Sequence, residues 1–272
     1  MLKNPFGLRN GKIIMIADLQ ESERGAKCGC VCPYCKGKFL ARLGEKRQPH
    51  FAHDGKPCDE VVAVLTATYA LMQEAIQEKA AFHYPSCYGV YSRIPPDYLA
   101  TREDISRQIK WTGCRPNASD PSQFKCEQVI REKTVPVVHS EIRKTAKDVP
   151  SALVLTHESG RKLALILVPP KTLCKTPNPV PFKHLPTIAV YLPEELYQVT
   201  SDVLKEKLRN GVERKEWISS PKKEKWVDEL LIQHNKEHQD WEDQAPERLK
   251  RQREAYERER AQEEKRAAEK AE

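Results

Sequence analysis

The stretch CGCVCPYCKGKFLARLGEKRQPHFAHDGKPC, from Cys28 to Cys58, places five cysteines and two histidines within a short, basic segment. Cys32 and Cys35, on either side of Pro33, have the C-x2-C spacing of a knuckle, a tight turn that presents two thiolates to one ion. Zinc takes sulfur and imidazole ligands in a tetrahedron, so two more ligands are needed. They have to come from the far end of the segment, where His50, His53 and Cys58 follow Cys35 at an ordinary separation for such sites. On one straight strand His50 and His53 point to opposite faces, and both reach one ion only if the chain turns between them. The candidate set is therefore Cys32 and Cys35 with one or both histidines, Cys58 completing the shell if one histidine faces away. Cys28 and Cys30 form an alternative or second half-site. Such a site has no open position, so its role is structural, and metal binding supplies the folding energy of a ribbon too small to bury a core.

Working outward, the segment divides into the knuckle, a strand from Lys38 to Leu43, a turn at Gly44 and a second strand ending in the tetrapeptide His50 to His53. Upstream, GKIIMIADL reads as a first strand. Downstream the period changes: Asp59 can cap a helix in which Val61, Val62, Leu65, Tyr69, Met72 and Ile76 recur at three- and four-residue steps. Residues 84–135 offer only short apolar pieces such as YGVYSRI. Order returns in two nearly continuous apolar runs, Ser151 to Thr156 and Lys162 to Val168, flanking the turn HESG; this predicts a β-hairpin covered on both faces. TIAVYL predicts another buried strand, PEELYQVTSDVLKEKLRNG a helix starting at Pro193 and stopped by Gly211, and KEWIS a short strand. From Pro221 the chain is helical and charged. After Trp241 only Leu249 and Tyr256 could build an apolar seam, while pairs such as Glu254 and Arg258 lie four residues apart, which favours a solvated, frayed helix over a coiled coil. The expected division is a module over 1–60, a helix and irregular connection over 61–135, a core over 136–220 and a tail over 221–272.

Lys and Arg outnumber Asp and Glu by 46 to 39 over 272 residues, and residues 1–220 hold 33 of the basic side chains against 24 acidic ones. The positive excess thus lies ahead of the tail, which is compatible with DNA or RNA as partner. On the ribbon itself Arg42, Lys46 and Arg47 are the candidate nucleic-acid contacts, beside Lys36 and Lys38; the same charges also describe a solvated basic face. Tyr34, Phe39 and Phe51 are candidates to stack on bases, although aromatic residues in so small a ribbon more often form its core. Nine cysteines, four of them within Cys28 to Cys35, suit metal binding in a reducing compartment better than a disulfide framework. Cys87, Cys114, Cys126 and Cys174 are scattered singly and read as ordinary core or surface residues. The apolar run Ile13 to Ala17 is too short for a secretory signal and no run is long enough to span a bilayer, so the expected location is cytoplasmic with no membrane partner.

CGCVCPYC, then LARLGEKRQPHFAH and Cys58 followed directly by a helix, resembles the N-terminal signature of the competence protein CoiA-like family. KDVPSALVLTHESGRKLALILVPP is similar to the family's nuclease-like core hairpin, and LKEKLRNGVERKEWISSP to its helix and Trp-Ile-containing strand. The resemblance implies an α+β fold: a small N-terminal zinc-ribbon-like module with structural Zn2+, a restriction-endonuclease-like mixed α/β core of the PD-(D/E)XK type, and here a C-terminal charged helical tail. It also implies a place in DNA uptake, recombination or mobile elements. The family's nuclease chemistry needs an Asp at the start of the second core strand, then an acidic residue, a spacer and a Lys or Gln on the third. Two carboxylates hold a divalent ion and the last residue positions the attacking water. Asp148 matches the first position, with Glu141 as an accessory carboxylate. On the third strand Ile166 and Val168 stand where the acidic residue and the Lys or Gln should fall, and no charged side chain occurs from Leu163 to Pro170. In the helix after the ribbon, Leu65 and Tyr69 replace the family's Glu-Thr pair and His. The expectation is a divergent member with no catalytic residues, Asp148 and Glu141 being remnants, that acts as a nucleic-acid-binding accessory protein. The alternatives are an active DNA nuclease using Mg2+ with Asp148, Glu141 and Glu158, and a protein-interaction scaffold whose C-terminal helix offers Trp226, Leu230 and Trp241 to a protein partner.

Overall fold

A computed structural model describes residues 3–44, 47–114, 124–170, 179–182 and 184–269, so Lys46 and Cys174 lie outside the described residues. The chain forms two compact units, one of Met1–Tyr88, Trp111–Pro116 and Glu127–Lys223, the other of Gly89–Lys110, Asn117–Cys126 and Glu224–Glu272.

The first unit opens on a hairpin. Asn10 and Gly11 have φ of 50° and 79°, the left-handed pair that a two-residue hairpin turn requires. They join β1 (Phe6–Arg9) to β2 (Lys12–Met15), with Phe6 opposite Met15. The strand expected in GKIIMIADL is therefore one arm of a pair, and it ends at Met15, where Ile16–Asp18 turns into a 3-10 helix. The ribbon follows as β3 (Phe39–Arg42) and β4 (His50–His53), antiparallel, with Phe39 opposite His53. Val31 bridges Leu8 on one side and Lys38 on the other, so knuckle, ribbon and first hairpin are joined by backbone pairing. Phe39 and Phe51 stack with ring centroids 5.6 Å apart inside a small core that also holds Ile16, Cys28, Cys30, Cys32, Ala41 and Ala63. Two of the three aromatic candidates for base stacking are thus packing residues; Tyr34 stays exposed.

Helix α1 (Glu60–Lys79) begins where the period change placed it, with the Asp59 carboxylate accepting from Val61 and Val62 N–H at 3.0 and 3.1 Å. Residues 81–136 then supply β5 (Ala81–Tyr84), β6 (Cys87–Ser92), α2 (Arg102–Arg107), β7 (Ile109–Thr112), β8 (Phe124–Ile130) and β9 (Lys133–Pro136). β5 pairs with β9, and β7-β6-β8 form a three-stranded sheet. The main sheet has the order β10 (His139–Lys144), β11 (Pro150–Thr156), β12 (Lys162–Val168), β13 (Thr187–Tyr191) and β14 (Lys215–Ser219), antiparallel except for the β12–β13 pair. Its buried side chains, Leu153, Leu155, Leu165, Leu167, Ile188 and Val190, share one core with Val64, Leu71, Met72 and Ile76 of α1. Helix α3 (Ser201–Asn210) adds Leu204 and Leu208 to that core. It starts later than the sequence predicts: Leu196–Gln198 is a 3-10 turn, and the Ser201 N–H is capped at 3.0 Å by Asp18, a residue remote in sequence.

The second unit contains α2 and the helices α4 (Pro221–Asp243) and α5 (Ala245–Glu269) over the residues assigned to it. Trp226 packs so closely on Gly89 that a Cβ there would lie 2.1 Å from the ring. Trp226 and Leu230 are buried, so two of the three proposed scaffold anchors are spent on the protein's own packing. Trp241 carries the Arg248 guanidinium over its ring at 3.7 Å. Along α5, Arg253 with Glu257, Glu254 with Arg258 and Arg260 with Glu264 form exposed pairs one turn apart, while Leu249 and Tyr256 face solvent. Helix α5 is thus solvated, whereas α4 buries one face. Among the described residues no helix is long and apolar enough to cross a membrane. Among the described residues several sheets and five α-helices make the fold α+β.

Candidate metal centre

The knuckle is a closed turn: the Cys32 N–H donates to the Gly37 carbonyl at 2.7 Å and the Lys36 N–H to the Cys32 carbonyl at 3.1 Å. Lys36, at φ 62°, sits in the left-handed region, with its ammonium on the Pro33 carbonyl at 2.7 Å. This turn sets Cys32 and Cys35 side by side. β4 delivers His53, whose ring meets Phe39 edge-on at 4.8 Å, and Cys58 arrives on the residue just before the Asp59 cap of α1. Knuckle, ribbon and helix start each contribute, and the three meet at one point.

The ligand atoms of Cys32, Cys35, His53 and Cys58 lie within 4.8 Å of one another. Cys32 Sγ is 3.6 Å from Cys58 Sγ, and Cys35 Sγ is 3.3 Å from His53 Nε2. A tetrahedron with metal–sulfur bonds of about 2.3 Å has edges of about 3.8 Å, so the spacing and the donor set both fit a structural zinc ion. The electrostatics agree. Burial pushes the Cys58 thiol up to about 12, with the Cys35 and Cys32 thiols adding to the rise, and burial also raises Cys32. Burial acts upward on Cys35 too, but hydrogen bonds from the Gly37 N–H, His53 and the other two thiols outweigh it and bring Cys35 down to about 7. Three sulfurs at this distance cannot all ionise without a cation among them, and a divalent ion removes that conflict.

His50 lies at the other end of β4, opposite Arg42, with Nδ1 on the Gln48 carbonyl at 2.9 Å, and does not join the group. Cys28 and Cys30 are buried in the module core, the first with Sγ 3.6 Å from the Phe39 carbonyl and the second with Sγ 3.2 Å from the Cys28 carbonyl. Arg42 and Arg47 are exposed. Among the described residues the Cys3His set is the single cluster of three or more His, Cys, Asp or Glu side chains placed to hold an ion.

Asp148 and Glu141 stand apart from each other. Asp148, at φ 60° in the turn between β10 and β11, bonds the Lys144 ammonium at 2.9 Å in full view of solvent. Glu141 pairs with Arg143 at 2.8 Å on the edge strand β10. Glu158 is exposed at the tip of the β11–β12 turn. On β12 the pairing with β11 runs from Thr156 opposite Lys162 to Leu153 opposite Leu165 and then stops. Beyond that fork the Leu167 N–H donates to the buried Tyr69 hydroxyl of α1 at 3.0 Å. Sequence reasoning marked Tyr69 as a departure from a family pattern; its bond to β12 was not foreseeable, because a Tyr within an apolar helical stripe carries no sign of where its hydroxyl lands.

Residues 17–59 match the family model described as Competence protein CoiA, N-terminal domain. The resemblance carried by CGCVCPYC, LARLGEKRQPHFAH and Cys58 is thereby shown over the segment that holds all four members of the metal-fitting cluster. No curated protein and no solved structure matches the chain.

Proposed function

We propose that this chain is a zinc-stabilised nucleic-acid-binding accessory protein of DNA processing or recombination, built on a nuclease-like core that does not cut DNA. The observation that carries the reading is the filling of the β11–β12 fork. The strand that would supply the metal-binding and water-positioning groups presents Ile166 and Val168, and Tyr69 occupies the backbone N–H between them. Apolar side chains neither ligate magnesium nor orient water, and a lone exposed Asp148 tied to Lys144 holds a divalent ion poorly. The nucleic-acid part is supported by the exposed Arg42 and Arg47 on a module whose C-x2-C knuckle and ribbon would be fixed by zinc through Cys32, Cys35, His53 and Cys58. Bound there, the ion supplies rigidity and no reaction chemistry.

The test combines binding with cleavage. Single- and double-stranded DNA are titrated with the full chain across a salt series, then incubated with magnesium or manganese beside the Asp148→Asn variant. Affinity is expected to fall steeply with salt and to weaken on charge reversal at Arg42, Lys46 and Arg47, as phosphate contacts require. No strand scission is expected from either protein. Cleavage by the parent chain that disappears in Asp148→Asn would promote the nuclease reading, and salt-independent or absent binding would remove the nucleic-acid one.

A further inference from the structure

On the first unit, a groove of about 980 Å³ runs between the β8–β9 connection, the turn end of the β11–β12 hairpin and the start of α4. Its rim carries Arg131, Lys133, Arg161, Lys162 and Lys222 against a single carboxylate, Glu132. All five cations are exposed, and none of them forms an ion pair among the described residues. Below the rim the lining is apolar: Val129, Val135 and Leu163 are half-buried, and Pro136 and Pro186 close the sides. Neither the metal centre nor the fork between β11 and β12 draws on these residues.

Five cations with no carboxylate partner among the described residues, Arg161 donating only to the Ser159 hydroxyl at 3.0 Å, stand around an apolar floor and call for an occupant that brings carboxylates or phosphates together with apolar groups. The aromatic residues of the groove decide between the two. Base recognition by an unpaired strand needs ring faces on which bases can stack. Trp217 is 7 % exposed, its indole N–H is committed to the Pro85 carbonyl at 2.9 Å, and Tyr84 covers it edge-on with centroids 5.4 Å apart. Trp217 therefore offers no open face to a base, and the half-buried Tyr84 is engaged edge-on with it. What remains is a concave, aliphatic trough with a basic edge, large enough for several side chains.

We infer that this groove binds an extended acidic segment of a partner protein, its apolar side chains seated against Val129, Val135 and Leu163 and its carboxylates on the rim cations. The interaction is separate from the nucleic-acid contacts of the N-terminal module and stands or falls without them. The test is fluorescence anisotropy of the full chain with a short labelled peptide in which aspartates flank a Leu-Phe pair. Two control peptides replace the aspartates by serines or the Leu-Phe pair by alanines, and a labelled single-stranded oligonucleotide runs in parallel. Among the three peptides, saturable binding is expected for the first only, with affinity reduced about ten-fold or more by Lys133→Glu together with Arg161→Glu, since like charge at a rim position opposes association, while oligonucleotide binding should be insensitive to that pair. Arg42→Glu with Arg47→Glu should leave peptide binding unchanged. The neutral pair Lys162→Gln and Lys222→Gln, on other exposed positions, gives the same reading should the first variant fold poorly. Absence of peptide binding, or binding indifferent to the Leu-Phe pair or to the rim, would overturn the inference. Oligonucleotide affinity that falls with the rim substitutions while the peptide fails to bind would reassign the groove to nucleic acid.

Discussion

Lys215 shows what a single side chain can reveal of a fold. It lies on β14, 5 % exposed, with its ammonium donating to the His83 and Arg209 carbonyls at 2.8 Å each and lying 4.2 Å from the Phe82 ring centre. Burial drives its pKa down to about 7, with Glu213 opposing the shift. The sign follows directly. In the unfolded chain the amine titrates near its ordinary value, so between pH 7 and that value the unfolded state holds more protons and stability rises with pH. Below about pH 7 both states are charged and the cost of burying the charge is fully present. Lys215→Met removes the titration. The difference in unfolding free energy between parent and variant should therefore shift in the parent's favour from pH 7 towards pH 10, by at most about 1.4 kcal/mol per pH unit. Chemical denaturation at a series of pH values measures it, and a flat difference would mean the amine keeps its charge throughout. The alternation of KEWIS contained this burial, since Lys215 shares a strand face with Trp217; the general exclusion of lysine from cores argued the other way.

At the scale of elements, a hydrogen bond from the Leu167 N–H to the Tyr69 hydroxyl fills the fork between β11 and β12. With β11 diverging beyond Leu153, the Leu167 N–H would lie buried without an acceptor if the Tyr69 hydroxyl were absent. Tyr69→Phe keeps the ring and removes that acceptor, and should cost about 1–3 kcal/mol, the penalty of an unsatisfied buried amide. Thermal melts and exchange protection of the Leu167 amide check it; an unchanged melting temperature would show that the amide finds another partner. Elements whose evidence is local were legible. The cap Asp59 and the apolar stripe placed α1, the apolar runs about HESG placed β11 and β12, and KEWIS is β14. Asn10–Gly11 was a hairpin signal standing in plain view, and it gives β1 its place. The start of α3 was not legible, because its cap, Asp18, is far away in the chain. The same division runs through the metal centre: Cys32 and Cys35 announce themselves by spacing, whereas the choice of His53 over His50 depends on which end of β4 faces the knuckle.

For the molecule as a whole the question is how far the N-terminal residues depend on the metal. The first sixty residues do not share one core. Phe6, Ile13 and Met15 of the opening hairpin belong to the large core with Leu153, Leu165 and Ile188, while Ile16, Cys28, Cys30, Cys32, Phe39 and Phe51 form the small one. Sequence alone could not divide them, since both groups are apolar stretches ahead of the same helix. The small core is held at one end by the four candidate ligands, and a site of this type contributes about 10–16 kcal/mol of apparent binding energy that a ribbon cannot replace from its own packing. Metal analysis of the purified chain should find one zinc ion. Cys32→Ser or Cys35→Ser, or chelation of the parent, should then abolish amide protection across residues 25–60, including β3 and β4. Protection in β1–β2 and in the β11–β12 hairpin should survive, because those strands pack in the other core. Hydrogen exchange read by mass spectrometry separates the outcomes. Loss confined to residues 25–60 makes zinc the staple of the ribbon, loss throughout makes the two cores one cooperative unit, and no zinc in the protein with protection intact would mean that the four side chains are a thiol-rich core and the ribbon holds without an ion.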